Sequence, residues 1–319
     1  MDAAFLPTRQ KRVCGKIREI DAPKPQTKSI LRKLHRFLVR AVPPHPCAHG
    51  GAKSRSCFTS ARRHLGRRYV VTRDVRDCYP SISQLELKKR LLGMGFGSDV
   101  ALLLSFLCTV RGRMAQGSPV SSDALNLFLY DADRALSAAC GRNGSRYSRT
   151  YDDMVISVQS PSLAEWPGDA MRRQIEGHGL SINARKLRMN GFAAQHREQR
   201  VHNLRVNNRR GVKIVAEQTA KALALAEAYL RGAKVVSADS LEGLARKRAQ
   251  VAGWMYYTRQ ADFGPARHIK RLLEAGDRHV MRALASRGLS ARRGKWWITS
   301  KKRNEPRRLA QAWDTRMTA

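Results

Sequence analysis

Apolar positions in this chain fall in short blocks separated by basic, turn-rich stretches, and the blocks alternate between strand and helix periods. Tyr69-Val70-Val71-Thr72 is a compact β-branched and aromatic run, the pattern of a buried strand, and it delivers Asp74 at its end. Ser83-Gln84-Leu85-Glu86 is a capping box that opens a helix carrying Leu85, Leu91 and Leu92, closed by Gly93 and Gly95. The apolar run Val100 to Val110 predicts a second, buried helix. An alanine- and leucine-rich helix is expected after Pro119, running to about Ala139. The turn CGRNGSR then leads into RYSRTYDDMVISV, which reads as strand, Asp-Asp turn, strand. Residues 165–180 are predicted helical, and Ser181 to Leu187 extended. Beyond about residue 212, AEQTAKALALAEAYLRG and SLEGLARKRAQVAGWMYYTRQ are amphipathic helices ending in basic or aromatic residues. Residues 1–68 read instead as basic and rich in turn residues, with a proline cluster at 41–46.

Composition narrows the partner. The chain has 319 residues, with 61 Lys and Arg against 25 Asp and Glu, a formal net charge of +36. That excess makes a compact fold repel itself unless a polyanion lies close, and a nucleic acid supplies one through phosphate contacts and counterion release. The six cysteines lie singly with no C-x-x-C pair, which argues against a disulfide framework or zinc ribbon and for a reducing compartment. No HExxH occurs. The longest apolar run is too short to span a bilayer, and MDAAFLPTRQKR has no apolar core of signal-peptide length. A cytoplasmic protein without a membrane partner is expected.

Three segments carry candidate chemistry: Asp74 in RDVRDCYPSIS, Gln116-Gly117 in RMAQGSPVSSDALN, and Asp152-Asp153 in SRTYDDMVIS. Transfer of a nucleotidyl group needs two divalent cations about 3.5–4 Å apart, held by carboxylates. Mg²⁺ takes oxygen ligands and keeps several waters, so two or three carboxylates suffice. A lone Asp-Asp pair is usually a solvated hairpin turn. Here it lies between apolar strands, downstream of an acid-bearing strand and a Q-G-x-P turn, and that order favours catalysis. Asp77, three residues beyond Asp74, falls on another face and is read as structural.

With these motifs in place, the chain resembles the reverse transcriptases, most of all the bacterial retron and defence-associated group, from about residue 16 to about 207. Asp74-Val-Arg-Asp-Cys-Tyr79 resembles the family's first carboxylate motif, whose aromatic, here Tyr79, floors the sugar pocket and excludes a 2′-hydroxyl. Met114-Ala-Gln-Gly-Ser-Pro119 resembles L-P-Q-G-x-P, implying that Gln116 and Gly117 contact nucleotide and template; Asn126 on the following helix also fits. Gly179-Leu-Ser-Ile-Asn183 with Lys186 resembles the next motif, which places Lys186 near the triphosphate. Upstream, Lys16-Ile-Arg-Glu-Ile-Asp-Ala-Pro23 resembles the fingers strand, making Arg18 a triphosphate contact. Ala48-His-Gly with Lys53-Ser-Arg-Ser56 resembles A-H-G-F-x-x-G-R-S, with Arg55 as a second such contact. Ser60-Ala-Arg-Arg-His64 stands where retron enzymes carry N-A-x-x-H, so His64 is either a nucleic-acid contact or a surface histidine. The family's Y-A-D-D is here Thr150-Tyr151-Asp152-Asp153, and Tyr151 is expected to crowd the primer end or the nucleotide sugar. Val201-His-Asn-Leu204 replaces the usual V-T-G.

The resemblance implies an α+β right-hand polymerase with fingers, an antiparallel-sheet palm and a helical thumb. The expected divisions are 1–70 for the N-terminal fingers, 71–207 for the palm with a fingers insertion around 84–118, and 208–319 for the thumb and a basic tail. The implied activity is RNA-directed DNA synthesis with two Mg²⁺ ions, Mn²⁺ being an alternative, held by Asp74, Asp152 and Asp153. The expected partners are a dedicated noncoding RNA template and primer, its DNA product and dNTPs, in a setting of anti-phage defence; an effector protein or a second copy of the chain stays open. Arg246, Lys247, Arg248 and Trp254 are candidates to grip the template–primer duplex through phosphates and stacking. For Trp254 alone, a core position outweighs stacking. The Trp296-Trp297 tail stays undecided. Rival readings are a group II intron or diversity-generating reverse transcriptase, and a catalytically quiet scaffold that binds RNA.

Overall fold

The computed structural model describes residues 4–13, 16–183, 188–191, 198–207, 211–235 and 241–286. Lys186 and the Trp296-Trp297 pair lie outside them. The chain divides into two units, residues 1–211 and 212–319.

The first unit opens with a hairpin of β1 (Arg9–Val13) and β2 (Lys16–Ile20), followed by helices α1 (Pro25–Ala41) and α2 (Cys57–Arg62). Strand β3 (Tyr69–Asp74) leads into the short α3 (Cys78–Ser81), α4 (Gln84–Gly93), α5 (Ser98–Cys108) and a small ladder of β4 (Thr109–Val110) with β5 (Arg113–Met114). Next come α6 (Ser121–Phe128), α7 (Tyr130–Arg142), the hairpin β6 (Arg146–Thr150) and β7 (Asp153–Val158), α8 (Trp166–Glu176), β8 (Arg188–Gly191), β9 (Arg200–Val201) and β10 (Leu204–Arg205). The central sheet has the order β6–β7–β3–β8, and every pairing in it is antiparallel. Val70, Val71, Val155, Ile156 and Val158 are buried in β3 and β7, and α7 and α8 pack on the sheet. Burial of such β-branched side chains is worth about 1.5–3 kcal/mol each, which holds the sheet and its register.

Sequence periodicity anticipates β3, the capping box at Ser83 and the β6–β7 hairpin, and the structure departs from it in three places. The run from Val100 is a helix, but only half buried: Ala101, Leu104, Ser105 and Cys108 face inward, whereas Val100, Leu102, Leu103 and Phe106 are exposed. The helix expected after Pro119 is two helices. Leu129, at φ −92° and ψ 7°, leaves helical geometry, and Asp131 and Asp133 sit in the first turn of α7, where acids favour a helix start. Within the stretch read as turn-rich, α1 has Pro25 in its first turn and buries Leu31 and Leu38.

The described residues of the second unit hold β11 (Lys213–Ile214) and three helices, α9 (Ala216–Lys234), α10 (Leu241–Arg259) and α11 (Phe263–Ala285). They share a core of Ala222, Ala226, Tyr229, Leu244, Val251, Ile269, Leu273 and Val280. Asp262 caps α11 by accepting from the Gly264 amide. Among the described residues no helix is long and apolar enough to cross a membrane.

Candidate active site

The acids meet because of strand register. Asp74 closes β3 directly opposite Asp153, the first residue of β7, and Asp152 occupies the tight turn between β6 and β7. Carboxylate oxygens of Asp74, Asp152 and Asp153 all lie within 4.8 Å of one another. Like charges directly across a ladder repel, so this end of the sheet is destabilised until a cation intervenes. Asp152 shows the strain. Burial first, then the neighbouring Asp153 and Asp74, push its carboxyl above the usual range, and Arg18 opposes the shift. Asp74 is buried and accepts from the Asn183 side chain at 3.3 Å, while the Asn183 amide donates to the Asp74 carbonyl at 2.8 Å. The three residues fit a divalent cation: all donors are hard oxygens, and the cluster is partly open.

A cavity of about 440 Å³ lies against this cluster, lined by Arg18, Asp74, Tyr79, Gln116 and Asp152 among others. Gln116, with its amide turned so that each atom meets a complementary partner, accepts from Arg18 Nη1 at 2.9 Å and donates to the Glu19 carbonyl at 3.3 Å. Its own carbonyl accepts from the Asp21 amide at 2.8 Å. Gly117 follows at φ +112°, and a Cβ there would sit 2.9 Å from Ile20 Cγ2, so only glycine lets this loop close on β2. Tyr79 packs on the core beside the cavity, and burial raises its phenol well above the ordinary value, keeping it neutral. Asp77 also lines the cavity, but its carboxylate lies outside the close cluster of three.

Beneath the turn is a buried polar scaffold that the sequence reading did not assemble. Arg149 of β6 is fully buried. Its Nε and Nη2 donate to Asp133 at 2.9 and 2.6 Å, Nη2 also to Asn126 Oδ1 at 3.0 Å, and Nη1 to the Tyr151 carbonyl at 2.8 Å. Tyr147 donates its hydroxyl to the same Asp133 at 2.8 Å, and Asn126 Nδ2 donates to the Gly50 carbonyl at 3.0 Å. Burial alone would lower the guanidinium pKa; Asp133 more than offsets it and holds the charge. One side chain thus ties α6 and α7 to the backbone that presents Asp152. The signal available was an arginine two residues from Tyr147 and so on the same face of the strand, but no sequence rule named Asp133, α7 and a turn carbonyl as its partners.

Several expected contacts lie elsewhere. His64 is fully buried, with Nδ1 2.7 Å from Ser157 Oγ and Nε2 2.7 Å from Ser148 Oγ, and burial drives its pKa far down. It is a neutral interior group and cannot reach a nucleic acid. Ser148 continues through Ser60 to His202 Nε2, at 2.8 and 2.9 Å, and His202 Nδ1 stands 3.8 Å from Asp153 Oδ2. The segment that replaces V-T-G therefore approaches the acid cluster. Arg55 is absent from the cavity lining; its Nη1 donates to the carbonyls of His45 and Ala48 at 2.7 and 2.8 Å, which braces a loop. Tyr151, at φ +55°, is also absent from that lining. Its ring rests on Gly50, where a Cβ would approach it to 2.9 Å. Arg248 is held by Asp277 at 2.7 Å and Arg246 by Glu242, whereas Lys247 is exposed and meets no acid among the described residues. Trp254 meets Tyr257 edge-on at 5.6 Å, half-buried, and lines an open groove of about 340 Å³ with Gln218 and Gln250.

An antiparallel sheet backed by helices, with three carboxylates at one end beside a cavity, is the architecture of a right-hand polymerase. Residues 9–207 match the family described as reverse transcriptase (RNA-dependent DNA polymerase), and the chain belongs to that family. Its likeness there is to bacterial retron-type members. The retron Mx65 reverse transcriptase of Myxococcus xanthus is 28% identical over 266 residues, covering 73% of this chain and 62% of that protein. The retron Mx162 reverse transcriptase of the same organism is 30% identical over 221 residues, covering 60% of this chain and 45% of that protein. The chain thus spans between about half and under two thirds of these relatives. The structure of apo telomerase from Candida tropicalis superposes with a TM-score of 0.51 at 10% identity, covering 88% of this chain and 57% of that one, a likeness of fold.

Proposed function

We propose that this protein is an RNA-directed DNA polymerase that copies a dedicated noncoding RNA, in the manner of a retron and in the setting of anti-phage defence. The close trio Asp74, Asp152 and Asp153 beside a cavity lined by Arg18, Tyr79 and Gln116 carries the reading. Two Mg²⁺ ions held by these acids would lower the pKa of the primer hydroxyl and stabilise the leaving pyrophosphate. The chain's own residues do the rest. Asn183 fixes the orientation of the Asp74 carboxylate. Arg18 neutralises phosphate charge, held in line by Gln116, which also positions the nucleotide. Tyr79, neutral and packed on the core beside the cavity, would exclude a 2′-hydroxyl. Gly117 keeps the loop close to β2 so that template and nucleotide share one wall. The second unit, through Lys247 and Trp254, would grip the duplex as a thumb.

The test is incorporation of labelled dNTPs with Mg²⁺ by the purified protein, on its co-purifying RNA and on a generic primed RNA. Wild type is expected to extend both, and Asp152→Asn to fall to background. Incorporation that survives Asp152→Asn removes the metal assignment, and no incorporation by wild type on either template removes the polymerase reading. A single recovered RNA joined to DNA through a 2′–5′ branch supports the retron-like setting.

A further inference from the structure

Helix α1 lies outside the cavity lining, and its sequence, PQTKSILRKLHRFLVRA, contains no acid. Its inward face is accounted for. Leu31 and Leu38 are buried, Leu34 packs against the core, and His35 Nδ1 meets Asp123 of α6 at 2.6 Å. The outward face carries Lys28, Arg32, Arg36 and Arg40, an uninterrupted i, i+4 series, with Lys33 beside it; all five are exposed. At 1.5 Å per residue the series forms a ridge that rises about 18 Å along the helix and, at 3.6 residues per turn, winds about 40° around it at each step. Among the described residues none of the five has a recorded ion pair, although α1 belongs to a unit in which many arginines are paired. Ile30 and Phe37, 57% and 60% exposed, flank the ridge.

We propose that this ridge binds the phosphate backbone of a double-stranded stem in the template RNA, outside the active-site cavity. Four like charges at i, i+4 spacing destabilise a helix by themselves, so the face gains when a polyanion covers it. A gently winding row of cations on a rigid helix suits a duplex, whose phosphates are held at regular spacing along a helical strand, and Phe37 would lie against ribose at the stem surface. A membrane fits less well. A helix that lies in a bilayer surface inserts its apolar face, and here Leu31, Leu34 and Leu38 are committed to the fold, which leaves only Ile30 and Phe37 exposed for insertion. The choice of the template RNA as the source of the duplex rests on the polymerase reading; the binding test does not need activity.

The experiment compares wild type with the combined variant Lys28→Gln, Arg32→Gln, Arg36→Gln and Arg40→Gln. A charge-matched control carries Lys88→Gln, Lys89→Gln, Arg142→Gln and Arg173→Gln. Glutamine preserves helix propensity, and thermal melts check the fold. Binding of a labelled RNA hairpin is measured against salt, together with extension of a short primer–template that has no additional stem. The ridge variant is expected to lose about three units of the slope of log affinity against log salt, while the control changes little. Extension of the short primer–template should stay within roughly twofold of wild type, since each tenfold change would be a separate loss of transition-state binding. Equal loss in both variants would mean diffuse charge and overturn the site. Unchanged hairpin binding by the ridge variant would overturn it as well. So would loss of short-template extension with an unchanged melt, which would place α1 on the template–primer itself. Binding to phosphatidylserine–phosphatidylcholine vesicles that disappears in the ridge variant, with hairpin binding intact, would reassign the face to a membrane. A wild type that binds the hairpin through the ridge but extends nothing would defeat the polymerase reading and leave the ridge standing.

Discussion

The two units each set a carboxylate between an arginine and a tyrosine, and they use the arrangement differently. In the first, Asp133 receives the Tyr147 hydroxyl at 2.8 Å and the Arg149 Nη2 at 2.6 Å; in the second, Asp277 receives the Tyr229 hydroxyl at 2.6 Å and the Arg248 Nη2 at 2.7 Å. The ion pair in the first unit is 1% exposed on both sides, and that in the second 18% and 21%. Arg248 and Tyr229 join α9, α10 and α11 to one carboxylate, which staples a bundle. Arg149 spends its further donors on Asn126 and on the carbonyl of Tyr151, one residue before Asp152. The same chemical trio therefore serves packing in one place and placement of the acid-bearing turn in the other. The distinguishing feature is where the spare guanidinium hydrogens point.

Truncating the arginines should separate these roles most strongly. Arg149→Ala leaves Asp133 buried without its cation, which is expected to cost about 3–5 kcal/mol, because the partner can neither hydrate nor pair. Arg248→Ala should cost less, about 1–3 kcal/mol, since water already reaches Asp277. Urea denaturation reads both. The lysine variants sharpen the contrast. Arg149→Lys keeps a charge for Asp133 but offers a point instead of a fork, so Asn126 and the turn carbonyl lose their donor. A displaced turn should lower incorporation about 100-fold. Arg248→Lys should leave the rate constant for chemistry unaffected. Wild-type synthesis by Arg149→Lys would show that the turn holds its geometry without the guanidinium.

What the sequence made legible follows the range of the forces involved. Asp74, Asp152 and Asp153 were found because a strand end and a hairpin turn are local patterns, and their convergence needs only that β3 and β7 pair in register. The cavity side chains Arg18, Tyr79 and Gln116 were found through motif resemblance, and the structure brings them together. His64 and Arg55 were named from motif resemblance, and a motif match fixes a residue's position along the chain but not where its side chain goes. Whether it turns inward depends on partners such as Ser148 and Ser157, more than 80 residues away, or on loop carbonyls that no periodicity reveals. Helix α1 was hidden by the prolines around it and by a polar majority that masked Leu31, Leu34 and Leu38.

The interior histidines give a second, smaller difference between the units. His64 is buried, and burial, followed by the nearby His202, holds it neutral; His49, buried and near Arg63 and Arg55, is pushed down to about 4. In the unfolded chain both take up a proton near pH 6.5. Stability from this source is therefore complete above that pH and falls as pH drops towards the folded values, by about 1.4 kcal/mol per unit for each histidine. Among the described residues of the second unit, His268 and His279 lie on α11 and neither is buried. Hydrogen exchange between pH 7 and 5 should show the sheet of the first unit losing protection while the bundle changes less. His64→Gln should flatten the acid loss. Equal acid sensitivity in both units would break the distinction.

The smallest effect is expected at Tyr151, although the motif made it conspicuous. Its backbone takes a left-handed φ of +55°, a conformation that costs a bulky residue about 1–2 kcal/mol, and Arg149 offsets part of that by donating to its carbonyl. The ring is 42% exposed and leans on Gly50; it is not among the cavity-lining side chains, although it stands near enough to Tyr79 to help raise that phenol. A residue that discriminates between sugars must touch them, and Tyr79, which lines the cavity, is the aromatic proposed to do so. Tyr151→Ala should therefore leave the ratio of dNTP to rNTP incorporation within roughly twofold of wild type, whereas Tyr79→Ala should relax it far more. Competition between labelled dNTP and rNTP on one primed RNA measures both. If Tyr151→Ala shifts the ratio as much as Tyr79→Ala, the turn moves when substrate binds, and the division between supporting and contacting residues at this end of the sheet must be redrawn.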